Sequence, residues 1–341
     1  MKSLIKLGVA AAAVVGFSAA AYAQGNNTLA QIKQRGTLNC GVGTGLAGFG
    51  QPDDKGRWNG LDVEFCRGLA AAVLGDGEKV TFKPLSAKER FTALQSGEVD
   101  LLARNSTWTL TRDSSLGLSF AGVNFYDGQG FMVSKKLGVK SAKELKGASV
   151  CVQTGTTTEL NLADFFRANK MEYKTVVFEK NDEVVAAYDA GRCDAFTTDA
   201  SGLYAERLRM KSPDDHIVLP EIISKEPLGP VVRQGDSQWF TIVRWVHNAM
   251  LNAEELGVTQ KNVDEMLNSP NPEIKRMLGK EGDFGKGLGL DNDWVVRIIK
   301  AVGNYGESYE RNVGMGSRLK IDRGLNKLWN QGGLQYAPPI R

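Results

Sequence analysis

The sequence predicts an α/β protein of two lobes, with the second lobe inserted into the first. Residues 37–104 and residues 148–199 each alternate strands and helices in a β-α-β-α-β order, which indicates one lobe for each run. This order is typical of a parallel sheet with right-handed crossovers. One β-like stretch separates the two runs and another follows the second, so the chain is expected to cross between the lobes twice.

The first run contains three predicted strands and two predicted helices. The strands are 37–43, 79–85 and 99–104, and the helices are 61–75 and 87–97. The helix 61–75 is amphipathic and ends at Gly75, a residue suited to a helix C-terminus.

The second run repeats this build. Its strands are 148–155, 173–179 and 193–199, and its helices are 156–170 and 181–192. The two runs end alike, with a turn glycine followed by x-x-Asp and a short apolar strand: Gly97 to Asp100, and Gly191 to Asp194. The similarity indicates two lobes of similar architecture.

The connecting stretches are SFAGVNFYDGQGFMVSKK (119–136) and EIISKEPLGPVVRQ (221–234). They place residues 24–128 and 232–341 in the first lobe and residues 129–231 in the second. The part from Asp236 is predicted to be mostly helical, over 237–257, 258–268 and 291–314, and to pack on the first lobe. A cleft between lobes joined by two hinge strands can close around a ligand.

The N-terminus predicts export. Lys2 and Lys6 precede an apolar, small-residue segment that ends in Ala21-Tyr22-Ala23. These are the parts of a secretory signal peptide, predicted here as residues 1–23. A retained membrane anchor is the alternative, which the A-x-A site disfavours.

Composition excludes some function classes. With 42 basic and 39 acidic residues mixed along the chain, no strong field for nucleic acid is expected. The four cysteines of an exported chain favour disulfides, and their order suggests Cys40–Cys66 and Cys151–Cys193. Four buried free thiols are the alternative, and the spacing does not suit zinc.

Candidate ligand-binding residues follow the predicted strands, because ligands bind beyond the carboxyl ends of open parallel sheets. Thr107, Thr109 and Arg112 follow the third strand of the first lobe. A guanidinium beside hydroxyl groups suits a carboxylate.

The second lobe contributes complementary groups. Thr156 and Thr157 lie at a helix start, where free N–H groups favour an anion. Asp199 follows the last strand and suits an ammonium group. A carboxylate clamp with an ammonium acceptor predicts an α-amino acid as the ligand.

Structural alternatives exist for each of these residues. Asp199 could serve as a helix N-cap, as could Thr154 or Thr156, and Arg112 could be a solvated surface residue. Phe49, in a glycine-rich loop, is predicted to form a wall of the cleft.

Few sequence features support a catalytic role or a bound cofactor. The loop GVGTGLAG (41–48) matches a dinucleotide fingerprint only weakly and lacks an evident acidic ribose partner. His216 and His247 fall outside the cleft segments, and there is no nucleophile elbow or metal-ligand motif. No cofactor or metal is expected.

Four segments together resemble a known family. They are GLDVEFCRGLAAAVLG, RFTALQSGEVDLLARNSTWTLTRDSSLGLSFAGVNFYDGQGFMV, CVQTGTTTELNLADFF and CDAFTTDASGLYAER. Their combination is similar to the periplasmic solute-binding proteins of ABC transporters for polar amino acids, in particular the general L-amino acid-binding proteins. The resemblance covers nearly the whole mature chain and implies the two-lobed periplasmic-binding-protein fold.

The resemblance also implies roles for individual residues. Arg112 would hold the ligand α-carboxylate with Thr107 or Thr109, and Asp199 would accept the α-ammonium. The helix-start amides at Thr156 and Thr157 would bind the same carboxylate. Gln153 would contact the ligand side chain, while Ser86 or Ala87 stands where narrow-specificity relatives often have a stacking aromatic residue.

The expected protein is therefore a periplasmic, monomeric receptor of broad L-amino acid specificity that delivers its ligand to an ABC-transporter permease. Two alternatives remain open: a dehydratase-like periplasmic enzyme on the same fold, with Glu159 and Lys88 as candidate acid–base groups, and a ligand-sensing partner of a membrane receptor.

Overall fold

The computed structural model describes residues 27–341, and the predicted signal peptide lies outside the described residues. The first part of the chain builds most of one lobe and the first connection. Its elements are α1 (Thr28–Arg35), β1 (Leu38–Val42), β2 (Gln51–Pro52), β3 (Trp58–Asn59), α2 (Leu61–Leu74), β4 (Val80–Pro84), α3 (Arg90–Gln95), β5 (Leu101–Leu102), α4 (Leu110–Ser115), β6 (Leu118–Phe120) and β7 (Phe125–Asp127).

The middle part of the chain builds the second lobe and the return connection. Its elements are β8 (Gln129–Ser134), β9 (Ser149–Gln153), α5 (Thr157–Ala168), β10 (Lys174–Phe178), α6 (Asn181–Asp189), β11 (Ala195–Asp199), α7 (Ala200–Arg207), β12 (His216–Val218) and β13 (Glu226–Leu228).

The last part returns to the first lobe. Its elements are β14 (Val231–Arg233), α8 (Ser237–Glu255), α9 (Val263–Met266), α10 (Pro272–Met277), α11 (Phe284–Leu288), α12 (Trp294–Val302) and α13 (Tyr305–Asn312). Within residues 27–341, no helix combines the length and the hydrophobicity needed to cross a membrane.

Each lobe has one five-stranded sheet, and the two sheets have related topologies. The orders are β4-β1-β5-β14-β6 and β10-β9-β11-β8-β12. In each sheet the three predicted strands pair in parallel. The other two strands of each sheet are antiparallel additions that the alternating β-α pattern did not assign to a sheet: β6, β8 and β14 come from the connecting stretches, and β12 precedes the second of them.

The strands β7 and β13 join the lobes as an antiparallel pair, with Asp127 opposite Glu226 and Phe125 opposite Leu228. The predicted two-strand hinge and inserted second lobe are therefore confirmed. The proposed division of the chain at 128/129 and 231/232 falls beside this pair, although Val231 already pairs with Leu102 in the first-lobe sheet.

Both predicted disulfides are present, one in each lobe. Cys40–Cys66 ties β1 to α2, and Cys151–Cys193 ties β9 to the residues just before β11. The alternative of four free thiols is wrong.

The segment 291–314, predicted as a single helical stretch, is two helices. Gly303 has φ 77° and ψ −172°, which ends α12. Asn304 then caps α13: its side chain accepts from the Glu307 N–H at 2.9 Å, and the Glu307 carboxylate accepts from the Asn304 N–H at 2.9 Å. This reciprocal capping box starts a new helix in a new direction.

The segment after α13 contains only short 3₁₀ turns and packs beside the hinge. The Asn326 side chain accepts from the Tyr126 N–H at 2.7 Å and donates to the Tyr126 carbonyl at 3.1 Å. The predicted packing of the C-terminal part on the first lobe thus extends to β7.

Candidate functional site

A cavity lies between the lobes, where the carboxyl ends of both sets of parallel strands meet. Its first-lobe wall includes Thr44, Leu46, Arg90, Arg104, Asn105 and Thr107, and its second-lobe wall includes Gln153, Thr156, Thr157, Asn181, Asp199 and Glu206. This is the position that the strand order predicts for a ligand.

The two lobes touch each other around this cavity. Lys88 Nζ of the first lobe lies 2.8 Å from Glu179 Oε1 of the second. Thr107 Oγ1 and Thr157 Oγ1 are 3.3 Å apart. The cleft is therefore in a closed arrangement.

Asp199 brings an unpaired carboxylate to the cavity. It lies at the end of β11 and is 7% exposed. Although it occupies the N-cap position of α7, its side chain makes no capping bond, and no residue of 27–341 donates a hydrogen bond to it. The interpretation of Asp199 as a helix cap is therefore wrong for its side chain.

The electrostatic setting of Asp199 favours a cationic partner. Burial raises the pKa of Asp199 well above its usual value, and the nearby carboxylates of Asp127 and Glu226 raise it further. A buried carboxylate is costly unless it is paired. A ligand ammonium group would supply the missing partner.

Two arginines on the wall were missed by the sequence prediction. Arg90 is 3% exposed and its Nε has no hydrogen-bond partner among the described residues. Arg104 donates from Nε to the Leu85 carbonyl at 3.0 Å. Arg104 is the last residue of the predicted strand 99–104, so the rule used for Thr107 could have found it. Arg90 lies at a helix start and gave no such signal.

Arg112 is buried, so its interpretation as a solvated surface residue is wrong. Its Nη1 donates to the Thr107 carbonyl at 2.9 Å, and its guanidinium carbon lies 5.1 Å from the Phe91 ring centre. It stands behind Thr107 and is not part of the cavity wall. That Arg112 binds a ligand carboxylate directly stays a prediction.

The three arginines together form a positive group near Asp199. Burial and mutual repulsion lower the pKa of Arg104 to about 10 and that of Arg90 well below its usual value. Burial also lowers the pKa of Arg112. The negative charge of Asp199 raises the pKa of all three arginines and so opposes these shifts. Charges of both signs therefore lie close together at the cavity.

The start of α5 contributes hydrogen-bond donors. Thr156 is its N-cap, with Oγ1 accepting from the Glu159 N–H at 3.1 Å, so the capping interpretation of Thr156 is confirmed. The following N–H groups, beginning at Thr157, have no intrahelical acceptor. The helix dipole makes this turn favourable for an anion.

Glu226 links the hinge to the site and was also missed. This buried carboxylate of β13 accepts hydrogen bonds from Thr107 Oγ1 at 2.6 Å and Thr157 Oγ1 at 2.9 Å, which lie on opposite lobes. Asn161 and Ser224 also donate to it, at 2.7 and 2.6 Å. Glu226 follows Ser224 and Lys225 in a polar part of the connecting stretch, so its sequence context did not mark it as buried.

Besides Arg112, three predicted site residues lie outside the cavity wall. Phe49 is 2% exposed in the first-lobe core, with its ring 5.2 Å from that of Phe125, so its prediction as a cleft wall is wrong. The Leu46–Gly50 bridge closes this loop, and the Phe49 ring packs in the first-lobe core. Thr109 caps α4 by accepting from the Arg112 N–H at 3.3 Å.

Ser86 is likewise not part of the cavity wall, and it exchanges hydrogen bonds of 3.2 Å with Glu89. Gln153 does line the wall, where its Nε2 donates to the Glu179 carbonyl at 3.0 Å. The ligand-binding roles of Gln153, Thr107, Thr156, Thr157 and Asp199 stay predictions.

Known proteins share this fold and most of this sequence. The general L-amino acid-binding periplasmic protein AapJ of Rhizobium johnstonii is 63% identical over 334 residues, with 97% of each chain covered. The glutamate/glutamine/aspartate/asparagine-binding protein BztA of Rhodobacter capsulatus is 56% identical, over 98% of this chain and 97% of that protein.

A solved structure of an ABC-transporter periplasmic binding protein from Brucella ovis, with glutathione bound, is 65% identical. It superposes with a TM-score of 0.91 over 92% of this chain and 99% of that chain. The sequence profile of the bacterial extracellular solute-binding proteins, family 3, matches residues 38–277. The chain therefore belongs to family 3 of the bacterial extracellular solute-binding proteins.

Proposed function

We propose that this protein is a periplasmic receptor that binds L-amino acids with broad specificity in the closed cleft and delivers them to an ABC-transporter permease. One observation carries the proposal: the unpaired, buried carboxylate of Asp199 faces buried arginines and a helix N-terminus within one cavity. This arrangement complements the ammonium and carboxylate groups of a zwitterion.

In the proposed complex, the α-ammonium pairs with Asp199. The α-carboxylate accepts from the first-turn N–H groups of α5 and faces the positive group that includes Arg112. Closure excludes water, which strengthens both interactions. Glu226 accepts from Thr107 of the first lobe and Thr157 of the second, so it joins the two lobes around the ligand in the closed arrangement.

The polar lining supports broad specificity. The cavity-lining residues include threonines, amides, arginines and acidic residues, and none is aromatic. Glutathione is included among the proposed ligands, because its γ-glutamyl end carries a free α-ammonium and α-carboxylate. The relatives named for general L-amino acid binding and for four polar amino acids support this breadth.

A binding role is favoured over a catalytic one. The candidate acid–base groups are engaged in other contacts: Glu159 accepts from the Thr154 hydroxyl at 3.1 Å and the Gly155 N–H at 3.0 Å. Lys88 is bridged to Glu179 at the cleft mouth. General acid–base catalysis needs such a group poised toward the substrate.

Calorimetry on unfolded, dialysed and refolded protein tests the proposal. Refolding matters because a tightly bound ligand can persist through purification. The panel is the common L-amino acids, several D-enantiomers and glutathione. One-to-one binding of many L-amino acids is expected; absence of binding to every member of the panel would overturn the proposal.

A further inference from the structure

We propose that Glu206 forms a second charged subsite at the far end of the cavity, which binds the cationic side chain of lysine or arginine. The inference rests on the proposed function, in which Asp199 holds the α-ammonium. It adds a residue that determines specificity and that lies on α7, in the second lobe.

The two carboxylates lie at opposite ends of α7. Asp199 precedes α7 as its N-cap residue, Glu206 lies in the last turn of α7, and both line the cavity. The rise along the helix is about 10 Å. A ligand side chain must extend along the helix from Asp199 to reach Glu206, so a long cationic side chain fits this separation.

Glu206 is built into the cavity wall. It lines the same cavity as Asp199 and is 0% exposed. Asn181, another lining residue, donates to its Oε1 at 2.5 Å, and Arg209 Nη1 donates to its Oε2 at 2.9 Å. A carboxylate has about four acceptor positions, so these two bonds leave capacity for a ligand donor.

The charge around Glu206 suits a cation. Arg209 also pairs with Asp182, with Nη2 2.7 Å from Oδ1. One arginine therefore serves two carboxylates, and the cluster keeps a net negative charge. Burial raises the pKa of Glu206, which a cationic ligand group would counteract.

The arginines of the site act on Asp199, and a different set of charged groups acts on Glu206. Asp199 interacts electrostatically with Arg90, Arg104 and Arg112. The charged groups that influence Glu206 are Arg209 and Asp182 of the second lobe. A ligand side chain of either sign can thus find a complementary region, which provides a physical basis for broad specificity.

The test varies the charge of the ligand side chain and the charge of residue 206 independently. Calorimetry on the full mature protein would compare arginine with neutral citrulline, and lysine with norleucine, using alanine and glutamate as reference ligands. The proteins are the wild type, Glu206→Gln and the control Glu183→Gln, which removes an exposed charge of α6 outside the cavity.

We expect the wild type to bind arginine about tenfold or more tightly than citrulline, a size typical of a hydrogen bond to a charged group. E206Q should lose this preference while binding alanine and glutamate within about threefold of the wild type. E183Q should keep the preference.

Equal binding of arginine and citrulline by the wild type would overturn the subsite, and this result needs no variant to fold. An equal loss for all ligands in E206Q would assign Glu206 a purely structural role and also overturn it. In both cases, retained binding of alanine by the wild type would leave the proposed receptor function intact.

Discussion

Replacing Asp199 with asparagine should change ligand binding and folding stability in opposite directions. The substitution keeps the shape of the side chain and removes its charge. In the ligand-free protein this charge is buried, lacks a hydrogen-bond donor among the described residues and lies near Asp127 and Glu226. With ligand bound, the same charge would pair with the α-ammonium.

The two effects have different sizes and pH dependence. Removing one partner of a buried charge pair costs about 3 kcal/mol, so the Kd should rise by about two orders of magnitude. The pKa of Asp199 is raised in the folded state, so its contribution to stability is present at low pH and lost as the pH rises. Asp199→Asn should therefore stabilise the ligand-free protein at pH 7 and have less effect at pH 4.

Calorimetry with L-glutamine and thermal unfolding of refolded protein at both pH values would measure these effects. Asp214→Asn, which removes an exposed charge from the second lobe, is the matched control and should change neither quantity. Wild-type affinity in Asp199→Asn would refute its role as the ammonium acceptor. A lower Tm of the ligand-free variant at pH 7 would refute the claim that the carboxylate is unpaired.

Three further predictions concern the surroundings of the site. Glu226→Gln should weaken L-glutamine binding about tenfold in calorimetry, because it disturbs the four hydrogen bonds that join the hinge to the lobes. An unchanged Kd would contradict this coupling. Arg112→Ala should raise the same Kd at least about 100-fold, since it removes a buried positive charge and the donor to Thr107; wild-type affinity would exclude this role. Burial raises the pKa of Asp62 from 3.8 to about 6, so the folded state holds this proton more tightly than the unfolded chain. This proton contributes about 3 kcal/mol to the free energy of unfolding below about pH 4, and the contribution is lost as the pH rises through 6. In denaturant titrations, the free energy of unfolding of Asp62→Asn should fall less over this pH range than that of the wild type. An equal fall would contradict the raised pKa.

The strands and helices of both β-α-β-α-β runs could be predicted because the sequence signals for them are local. Each β-α unit carries its own hydrophobic periodicity, and the cysteine order reflects one bridge in each lobe. The antiparallel additions to each sheet depend on long-range pairing, such as Val231 with Phe120, which no local pattern encodes. The break at Gly303 was readable in principle from the glycine followed by Asn304 and Glu307.

The site was predictable where residues lie at or just beyond the carboxyl ends of strands, as for Asp199 and Thr107. It was less predictable where tertiary packing decides orientation. Phe49 lies in a loop next to the cleft, but burial of its ring against Phe125 turns it away from the cavity. Arg90 comes from a helix on the opposite wall, and only the folded chain brings it near Asp199.

A crystal structure of the refolded protein with L-glutamine would test the central claim most directly. We expect the α-ammonium within about 3 Å of the Asp199 carboxylate, and the α-carboxylate at the first turn of α5 on the side of the arginines. A ligand bound outside this cavity, or with its α-carboxylate next to Asp199, would contradict it.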